Sequence, residues 1–315
     1  MKHFFILFSV IFSALLFSNC KSDDTNLAVQ NTDKPIVKTL SNLRKAYKAA
    51  PNDTNGAALV SGILSNLKSN TDKESRKELL TEGYRVSSEQ NISSKTASFL
   101  FPLIKESSSP ATPDQLLELG NLLKNLKKDA AANTIFQGVI DRFPNFSNLD
   151  KAKDLISTPV TSIDEYIFSL GQKLFVEADN TGINKDAAMQ YVDACEAYAL
   201  AYPDNKNTAD NLFKAAEVAK SIRTFPKSLS LYDWIIEKYP NYEKAPTALF
   251  LKGFIIENNI KDDKKAGEIY RQFLSQYPKH DLADDVEFLI ENIGKSDQEI
   301  LEMIEAKRKT ALESK

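Results

Sequence analysis

The sequence predicts an all-α fold, in which helical hairpins stack into a solenoid. Three apolar helical patterns in the last third of the chain each end in a Tyr-Pro pair, and the pairs are spaced 37 and 38 residues apart. An aromatic-proline pair of the same kind ends an earlier pattern. Recurrence at this period is typical of repeat architectures, in which each unit buries its apolar face against its neighbours. The four pairs are Phe143-Pro144, Tyr202-Pro203, Tyr239-Pro240 and Tyr277-Pro278.

The start of the chain has the zones of a secretory signal peptide, which we predict over residues 1–19. Lys2 and His3 form a short basic start, and residues 4–17 form an apolar run of 14 residues. That run is too short to span a hydrocarbon core of roughly 30 Å, so a cleaved signal is favoured over a membrane helix. Residues 1–19 are therefore excluded from the prediction of the fold.

The end of this signal resembles the lipobox of bacterial lipoproteins, in which the chain is cut before a cysteine that is then lipidated. The matching residues are Leu16-Phe17-Ser18-Asn19-Cys20. The resemblance implies lipidation of Cys20 and a lipid anchor in the cell outer membrane. The next residues, Lys21-Ser22-Asp23-Asp24, resemble the acidic signal that sends Bacteroidetes lipoproteins to the cell surface. A periplasm-facing lipoprotein and a plain cleaved signal peptide are the alternatives, and polar residues 20–33 are expected to be a flexible tether.

The composition argues against several classes of function. The chain has 40 Lys and Arg against 43 Asp and Glu, a net charge of −3, which becomes −4 once Lys2 is removed with the signal. Nucleic-acid binding needs a clustered cationic face, and none is visible. The remaining chain has one histidine, His280, so no catalytic or metal-binding constellation is expected. Cys195 lies in a helical pattern and is interpreted as a small buried residue. We therefore expect no enzyme activity, no cofactor and no metal.

Residues 114–145 carry the pattern of one helical hairpin. Its first half is filled by Leu116, Leu119-Gly120 and Leu123, and its second half by Ala132, Phe136 and Pro144. The two small residues allow the helices to approach closely, and Pro144 ends the second helix because proline lacks an N–H and clashes with the preceding turn. These residues resemble the tetratricopeptide repeat family. Their repeat style resembles that of the repeat lipoprotein of the β-barrel assembly machinery and of the periplasmic cell-division coordinator.

Three further copies are predicted, which extends the repeats over residues 114–279. The second copy begins at a Ser162 N-cap, and its small residue lies 16 residues before the proline, against 12 in the other copies. This difference predicts a second helix that is longer by about one turn. The small and aromatic residues of the later copies are Gly171, Ala187 and Tyr191, then Ala216, Ser228 and Tyr232, then Gly253, Ala266 and Tyr270.

The regions on either side of the repeats are also predicted to be helical. Residues 34–108 contain four apolar patterns that form two degenerate hairpins, with helices expected at 35–50, 57–67, after a Thr71 capping box, and at 94–104. Residues 280–315 contain an amphipathic pattern closed by Gly294, and then a charged helix that begins at Ser296. Because the last repeat of a solenoid must cover its open edge, these C-terminal helices are expected to be a cap.

The resemblance to tetratricopeptide repeats implies a non-enzymatic scaffold that binds other proteins of the cell envelope. It also implies that first helices line a groove, which would place Asn121, Lys124 and Asn125, and in a later copy Glu217 and Lys220, on the binding face. A role in outer-membrane protein assembly or cell-wall coordination is one alternative. Capture of nutrients or glycans at the surface is another, although the single tryptophan, Trp234, is expected to pack in the core. Neither the partner nor the oligomeric state has a signature in the sequence.

Overall fold

The computed structural model describes residues 39–70, 72–158, 160–176, 182–296, 298–299, 301–303 and 305–306. The predicted signal peptide, the tether and the lipidation site Cys20 lie outside these ranges. Within them, all regular elements are helical, which confirms the predicted all-α class. The α-helices are α1 (Leu40–Ala49), α2 (Asp53–Ser69), α3 (Lys73–Glu89), α4 (Ser93–Glu106), α5 (Pro113–Asn125), α6 (Asp129–Arg142), α7 (Leu149–Leu155), α8 (Ile163–Gln172), α9 (Lys185–Ala201), α10 (Thr208–Ser221), α11 (Phe225–Lys238), α12 (Ala245–Ile255), α13 (Asp263–Gln276) and α14 (Ala283–Asn292).

Successive helices pair as antiparallel hairpins and stack into the predicted tetratricopeptide-like solenoid. The hairpins are α3 with α4, α5 with α6, α8 with α9, α10 with α11, and α12 with α13, and α14 packs on α13. One cluster of buried side chains runs from Ala97 in α4 to Ile255 in α12, and a second cluster continues it into α14. The apolar face predicted for α14 packs on Tyr270 and Phe273 of the last hairpin, which confirms its position as a cap.

The aromatic-proline pairs end the second helices in one shared geometry. The aromatic residues are the C-caps of α6, α9, α11 and α13, with φ between −128° and −131° and ψ between 52° and 59°. After each cap the chain makes the same two turns and begins the next helix six residues later. The longer second copy also has the expected longer helix, since α9 has 17 residues and α6, α11 and α13 have 14 each.

Within four hairpins, the turn between the helices depends on a residue in the left-handed conformation. The connection between α8 and α9 includes a short 3₁₀ turn, Lys173–Phe175, and residues 177–181 within it lie outside the described ranges. The turn after α5 is typical, with the amide of Lys128 donating to the carbonyl of Leu123 at 2.9 Å. Such bonds satisfy carbonyls at the helix end that have no partner within the helix. The left-handed residues are Asn91 (φ 53°), Lys127 (φ 61°), Arg223 (φ 62°) and Lys261 (φ 64°).

The last hairpin contains one extra residue in its first helix. Lys261, the left-handed residue of this hairpin, lies eight positions after Gly253. In the first clear copy, Lys127 lies seven positions after Gly120. The extra residue is absorbed by a π-helical segment, Ile256–Ile260, at the end of α12. A single π turn accommodates an insertion in this way without changing the register of the helix before it.

The structure corrects three details of the predicted helices. The first described helix begins at Leu40, after a Thr39 N-cap, and residues 35–38 of the predicted helix lie outside the described ranges. The N-cap of α3 is Asp72, whose carboxylate accepts from the Ser75 amide at 2.8 Å, and not Thr71. Helix α7 was missed, although it begins six residues after Phe143, as the other first helices do after their own aromatic caps. It was missed because it is only seven residues long and its apolar pattern is short.

Side chains of α4 and α11 meet although two complete hairpins, α5 with α6 and α8 with α9, lie between their own hairpins along the chain. The ring of Phe101 lies edge-on to Trp234, with centroids 6.1 Å apart. The ammonium of Lys105 lies 4.6 Å from the centre of the same indole ring. At the helix ends, Lys238 Nζ donates to the Ser107 carbonyl at 3.1 Å. Units of an extended solenoid touch only their neighbours, so these contacts show that second helices converge across non-adjacent hairpins.

Candidate protein-binding surface

The side chains predicted to line a groove on α5 are held by other parts of the chain. Asn121 Nδ2 donates to the Leu117 carbonyl at 2.9 Å, one turn earlier in the same helix. Lys124 Nζ donates to the carbonyl of Leu155 at 2.5 Å, at the end of α7. Asn125 is exposed as the last residue of α5. Because the Leu155 carbonyl of α7 accepts from the Lys124 ammonium, this side chain joins α5 to α7 within the protein.

The groove residues predicted on α10 are also bonded within their own hairpin. Lys220 Nζ lies 2.7 Å from Glu217 Oε2, and the hydroxyl of Tyr232 donates to the same carboxylate. Among the described residues, no hydrogen bond or ion pair joins this group to the one on α5. The structure therefore does not assemble the five residues into one site.

Tyrosines of several helices donate to carboxylates, a feature that sequence reasoning missed, and among them Tyr270 is fully buried whereas Tyr84 is half-buried. Tyr84 donates to Glu118 at 2.6 Å, between adjacent hairpins, and Tyr270 donates to Glu257 at 2.7 Å within one hairpin. Burial, assisted by the Glu118 carboxylate, raises the pKa of Tyr84 to about 12, so its hydroxyl stays a donor at neutral pH. These pairs satisfy the polar ends of large buried or half-buried rings and fix the spacing of the helices.

The cysteine, histidine and tryptophan considered in the sequence analysis are packed against neighbouring side chains. Cys195 is fully buried, and burial raises the pKa of its thiol to about 12. The ring of His280 packs on Phe273, and its Nδ1 accepts from the amide of Leu282 at 3.1 Å. Trp234 is 3% exposed, as expected for a core residue. Throughout the described ranges, no three His, Cys, Asp or Glu residues have an arrangement that could hold a metal ion.

An aromatic face recurs on the first helices of the last two hairpins and on the cap. Phe213 of α10, Phe250 of α12 and Phe288 of α14 each lie ten residues after the proline of the preceding aromatic-proline pair. They therefore occupy equivalent positions on successive first helices. Phe254 lies one turn after Phe250 on the same side of α12. We call Phe213, Phe250, Phe254 and Phe288 the phenylalanine stripe.

Two rings of the stripe, Phe213 and Phe250, pack against tyrosines, and the other two, Phe254 and Phe288, are exposed. The ring of Phe213 packs against Tyr232 and Tyr242, with centroids 5.9 and 6.3 Å away. Phe250 lies 6.1 Å from Phe254 and 6.4 Å from the buried Tyr270. Phe254 and Phe288 are 41% and 44% exposed, so large apolar side chains reach solvent from a rigid support. The signal for the stripe was present in the sequence, since these phenylalanines recur with the same period as the Tyr-Pro pairs.

A second group of exposed apolar side chains lies around α8. Phe168 and Phe175 are 67% and 69% exposed, and Val176 and Met189 are 58% and 55% exposed. Residues 177–181, which follow directly, lie outside the described ranges. This group does not recur in other hairpins, so it lacks the register that the stripe has.

The fold and this surface define a helical-repeat protein whose hairpins stack in the manner of tetratricopeptide repeats. The tetratricopeptide repeat family model matches residues 116–145, which cover most of α5 and α6, and residues 247–280, which cover α12 and α13. Tetratricopeptide repeats are therefore present at both ends of the predicted array.

Comparisons with individual proteins add a likeness to solved structures, of which one is described below. No curated protein matches the chain. Among solved structures, the complex of the TPR2AB domain of yeast Sti1 with pHSP90 is similar over 81% of this chain and 96% of that chain, at 14% sequence identity and a TM-score of 0.31. None of the described helices is both long enough and apolar enough to cross a membrane.

Proposed function

We propose that this protein is a non-enzymatic scaffold of the bacterial cell envelope, anchored to the outer membrane by a lipid on Cys20. The observation that carries the proposal is the stack of tetratricopeptide-type hairpins with an aromatic stripe in register on its first helices. Stacked repeats offer extended surfaces for other proteins. Exposed apolar patches supported by a packed base are typical of protein interaction sites.

The anchor and the solenoid have separate roles in this proposal. Each CH₂ group of an acyl chain that is buried in the membrane contributes about 0.8 kcal/mol, so several chains on one cysteine hold the protein stably. The predicted tether, residues 20–33, separates the lipid from the repeats. The repeats then present a preformed surface, which lowers the entropic cost of binding a partner segment.

Two measurements test the proposal. Fractionation of cells that carry the full-length protein or Cys20→Ala tests the anchor, and we expect the variant to leave the membrane fraction. Crosslinking in cells, followed by identification of the captured proteins, tests the scaffold, and we expect specific envelope proteins. A Cys20→Ala protein that stays in the membrane fraction would remove the lipid anchor from the proposal. Repeated capture of background proteins alone would remove the scaffold.

The same crosslinking experiment separates the alternatives. Capture of an outer-membrane barrel or its assembly factors would support a role in barrel assembly, and capture of cell-wall synthases would support cell-wall coordination. Glycan capture at the surface requires exposed aromatic rings that stack on sugars, and here Trp234 is buried in the contact between α4 and α11. Binding to a glycan panel, with no protein captured, would nevertheless favour the glycan alternative.

A further inference from the structure

We propose that the phenylalanine stripe, together with the acidic cap that follows it, binds a cationic amphipathic segment of a partner protein. The inference rests on the proposed scaffold function and adds the chemistry of the partner to it. It depends on three observations: the register of the phenylalanine stripe, the pairing of the lysines near it, and the exposed carboxylates Asp284, Asp285 and Glu287 of α14.

The stripe supplies the apolar half of the site. Its centre is α12, where the half-buried Phe250 and the exposed Phe254 lie one turn apart on the same side of the helix. Phe213 lies on the first helix before it and Phe288 on the one after it. The first helices are linked, since Lys244 at the start of α12 lies 3.1 Å from Asp210 of α10. Neighbouring helices are roughly 10 Å apart, so the matching apolar side chains of a helical partner segment recur about every seventh residue.

Four lysines near the stripe form ion pairs with three carboxylates, which leaves a net charge of +1 on this group. Lys220 pairs with Glu217 at 2.7 Å, and Lys252 pairs with Asp233 at 2.6 Å. Lys214 and Lys244 both pair with Asp210, at 2.7 and 3.1 Å. Because the carboxylates offset most of the positive charge, this group contributes little potential that would favour an acidic partner.

Three of the carboxylates of α14 have no such compensation among the described residues. Asp284, Asp285 and Glu287 are exposed beside Phe288, and no ion pair involves them among the described residues. Residues 281–305 contain nine Asp or Glu and one Lys, a net charge of −8 in a chain whose total is −3. A surface of one sign attracts partners of the other sign and repels anionic membranes and nucleic acids. Lysine and arginine beside apolar anchors are therefore the complementary chemistry.

The first test uses two fluorescein-labelled peptides as probes, one with alternating blocks of leucine and lysine and one with glutamate in place of each lysine. Binding to the purified full-length protein is followed by fluorescence anisotropy at low and high salt. We expect the lysine peptide to bind at least tenfold more tightly than the glutamate peptide at low salt, and the difference to shrink at high salt as charges are screened. Equal binding of both peptides, or no binding of either, would overturn the proposal.

Matched variants then locate the site. The double variant Phe254→Ser with Phe288→Ser lacks the exposed anchors. We expect it to bind the lysine peptide about tenfold or more weakly than the unmodified protein, as when hot-spot aromatic residues are truncated. Phe168→Ser with Phe175→Ser is the control, because it removes two rings that are more exposed but lie outside the stripe. Circular dichroism establishes that both variants are folded. A control variant that binds as weakly as the stripe variant would show that the peptide recognises apolar surface in general.

The charge contribution has its own matched control. Asp284→Asn, Asp285→Asn and Glu287→Gln together are expected to weaken binding several-fold at low salt. The control replaces three exposed carboxylates in the first turns of other helices, Asp53, Asp114 and Asp186, by asparagine. It removes the same charge from the protein and the same kind of interaction with helix termini. An equal effect of the two sets would show that total charge, and not α14, determines the binding.

Crosslinking in cells distinguishes failure of this inference from failure of the proposed function. A photo-reactive residue is placed at position 254 in one strain and at position 168 in another. Capture of a partner through position 254, at a basic amphipathic segment, is the expected result. Capture only through position 168, or at an acidic segment, would overturn this inference and leave the scaffold function standing.

Discussion

Gly120 makes the packing of a hairpin directly testable. It lies on α5 opposite Phe136 of α6, and a Cβ atom at this position would be 2.4 Å from Cε1 of that ring. Ordinary contacts begin near 3.4 Å, so the ring has to move by about 1 Å, and Phe136 is fully buried. Overpacking of this kind costs about 1–3 kcal/mol, and the fixed surroundings favour the upper end of that range.

The expected net effect includes a gain from helix propensity. Alanine is favoured over glycine within a helix by about 1 kcal/mol, so Gly120→Ala should lower the free energy of unfolding by about 2 kcal/mol. The measurement is urea denaturation followed by circular dichroism, with the midpoint and the slope compared between variants. Gly267→Ala in α13 is the control, because there the nearest atoms to the new Cβ are in the flexible Arg271 side chain at 3.5 Å. This control should be neutral or stabilising.

A second substitution tests whether the loss comes from the ring. Phe136→Leu removes the atoms that the new Cβ would touch, and by itself it should destabilise the protein by leaving a cavity. In the double variant Gly120→Ala with Phe136→Leu, the loss should be smaller than the sum of the two single losses by about 1 kcal/mol or more. Additive losses, or a Gly120→Ala protein as stable as the control, would refute the close-approach reasoning.

Three other predictions concern the turns, the long-range contact and the buried thiol. Lys127→Gly should stabilise the protein by about 0.5–1 kcal/mol, because glycine adopts φ 61° without steric cost. Asn91→Gly should change the stability little, because asparagine already tolerates the left-handed conformation. Urea denaturation midpoints check both variants, and equal shifts would contradict the reasoning. In a double-mutant cycle, Phe101→Leu and Trp234→Phe should be coupled by about 1 kcal/mol, and additive losses would show that the edge-on ring contact contributes nothing. The pKa of the Cys195 thiol is raised to about 12 in the folded protein, so the free energy of unfolding should fall as pH rises from about 9 to 12. A thiol reagent at pH 8 should react with Cys195 only after unfolding, and rapid reaction in the folded state would contradict the burial of this residue.

Much of the fold was predictable because the signals for it are local. The aromatic-proline pairs end second helices, since proline stops a helix wherever it occurs, and all four pairs share one cap geometry. Gly120 was predicted to be a small residue that lets the two helices approach closely, and the structure shows that it faces the ring of Phe136. The same arrangement holds Gly83 against Phe99 in the region that seemed degenerate, where an added Cβ would lie 2.3 Å from the ring. That hairpin was recognised as helical but not as a close relative of the others.

The candidate surface was predictable only in part. Resemblance to a repeat family pointed to first helices, and the stripe does lie on first helices. Residues that the resemblance placed on the groove side have partners within the protein, since Lys124 donates to the Leu155 carbonyl and Glu217 pairs with Lys220. Side-chain partners depend on which irregular element packs nearby, and α7 was not visible in the sequence pattern.

The sequence by itself determined the period of the repeats, the ends of the second helices, the capping role of α14 and the acidic charge of the C-terminal region. Each of these depends on residues close together in the chain or on composition alone. Only the tertiary structure decided that α4 meets α11 and that the four phenylalanines form one face with exposed edges. The rotation between successive hairpins is a small angle set by many packed side chains, and contacts between residues more than 120 positions apart depend on the sum of those rotations.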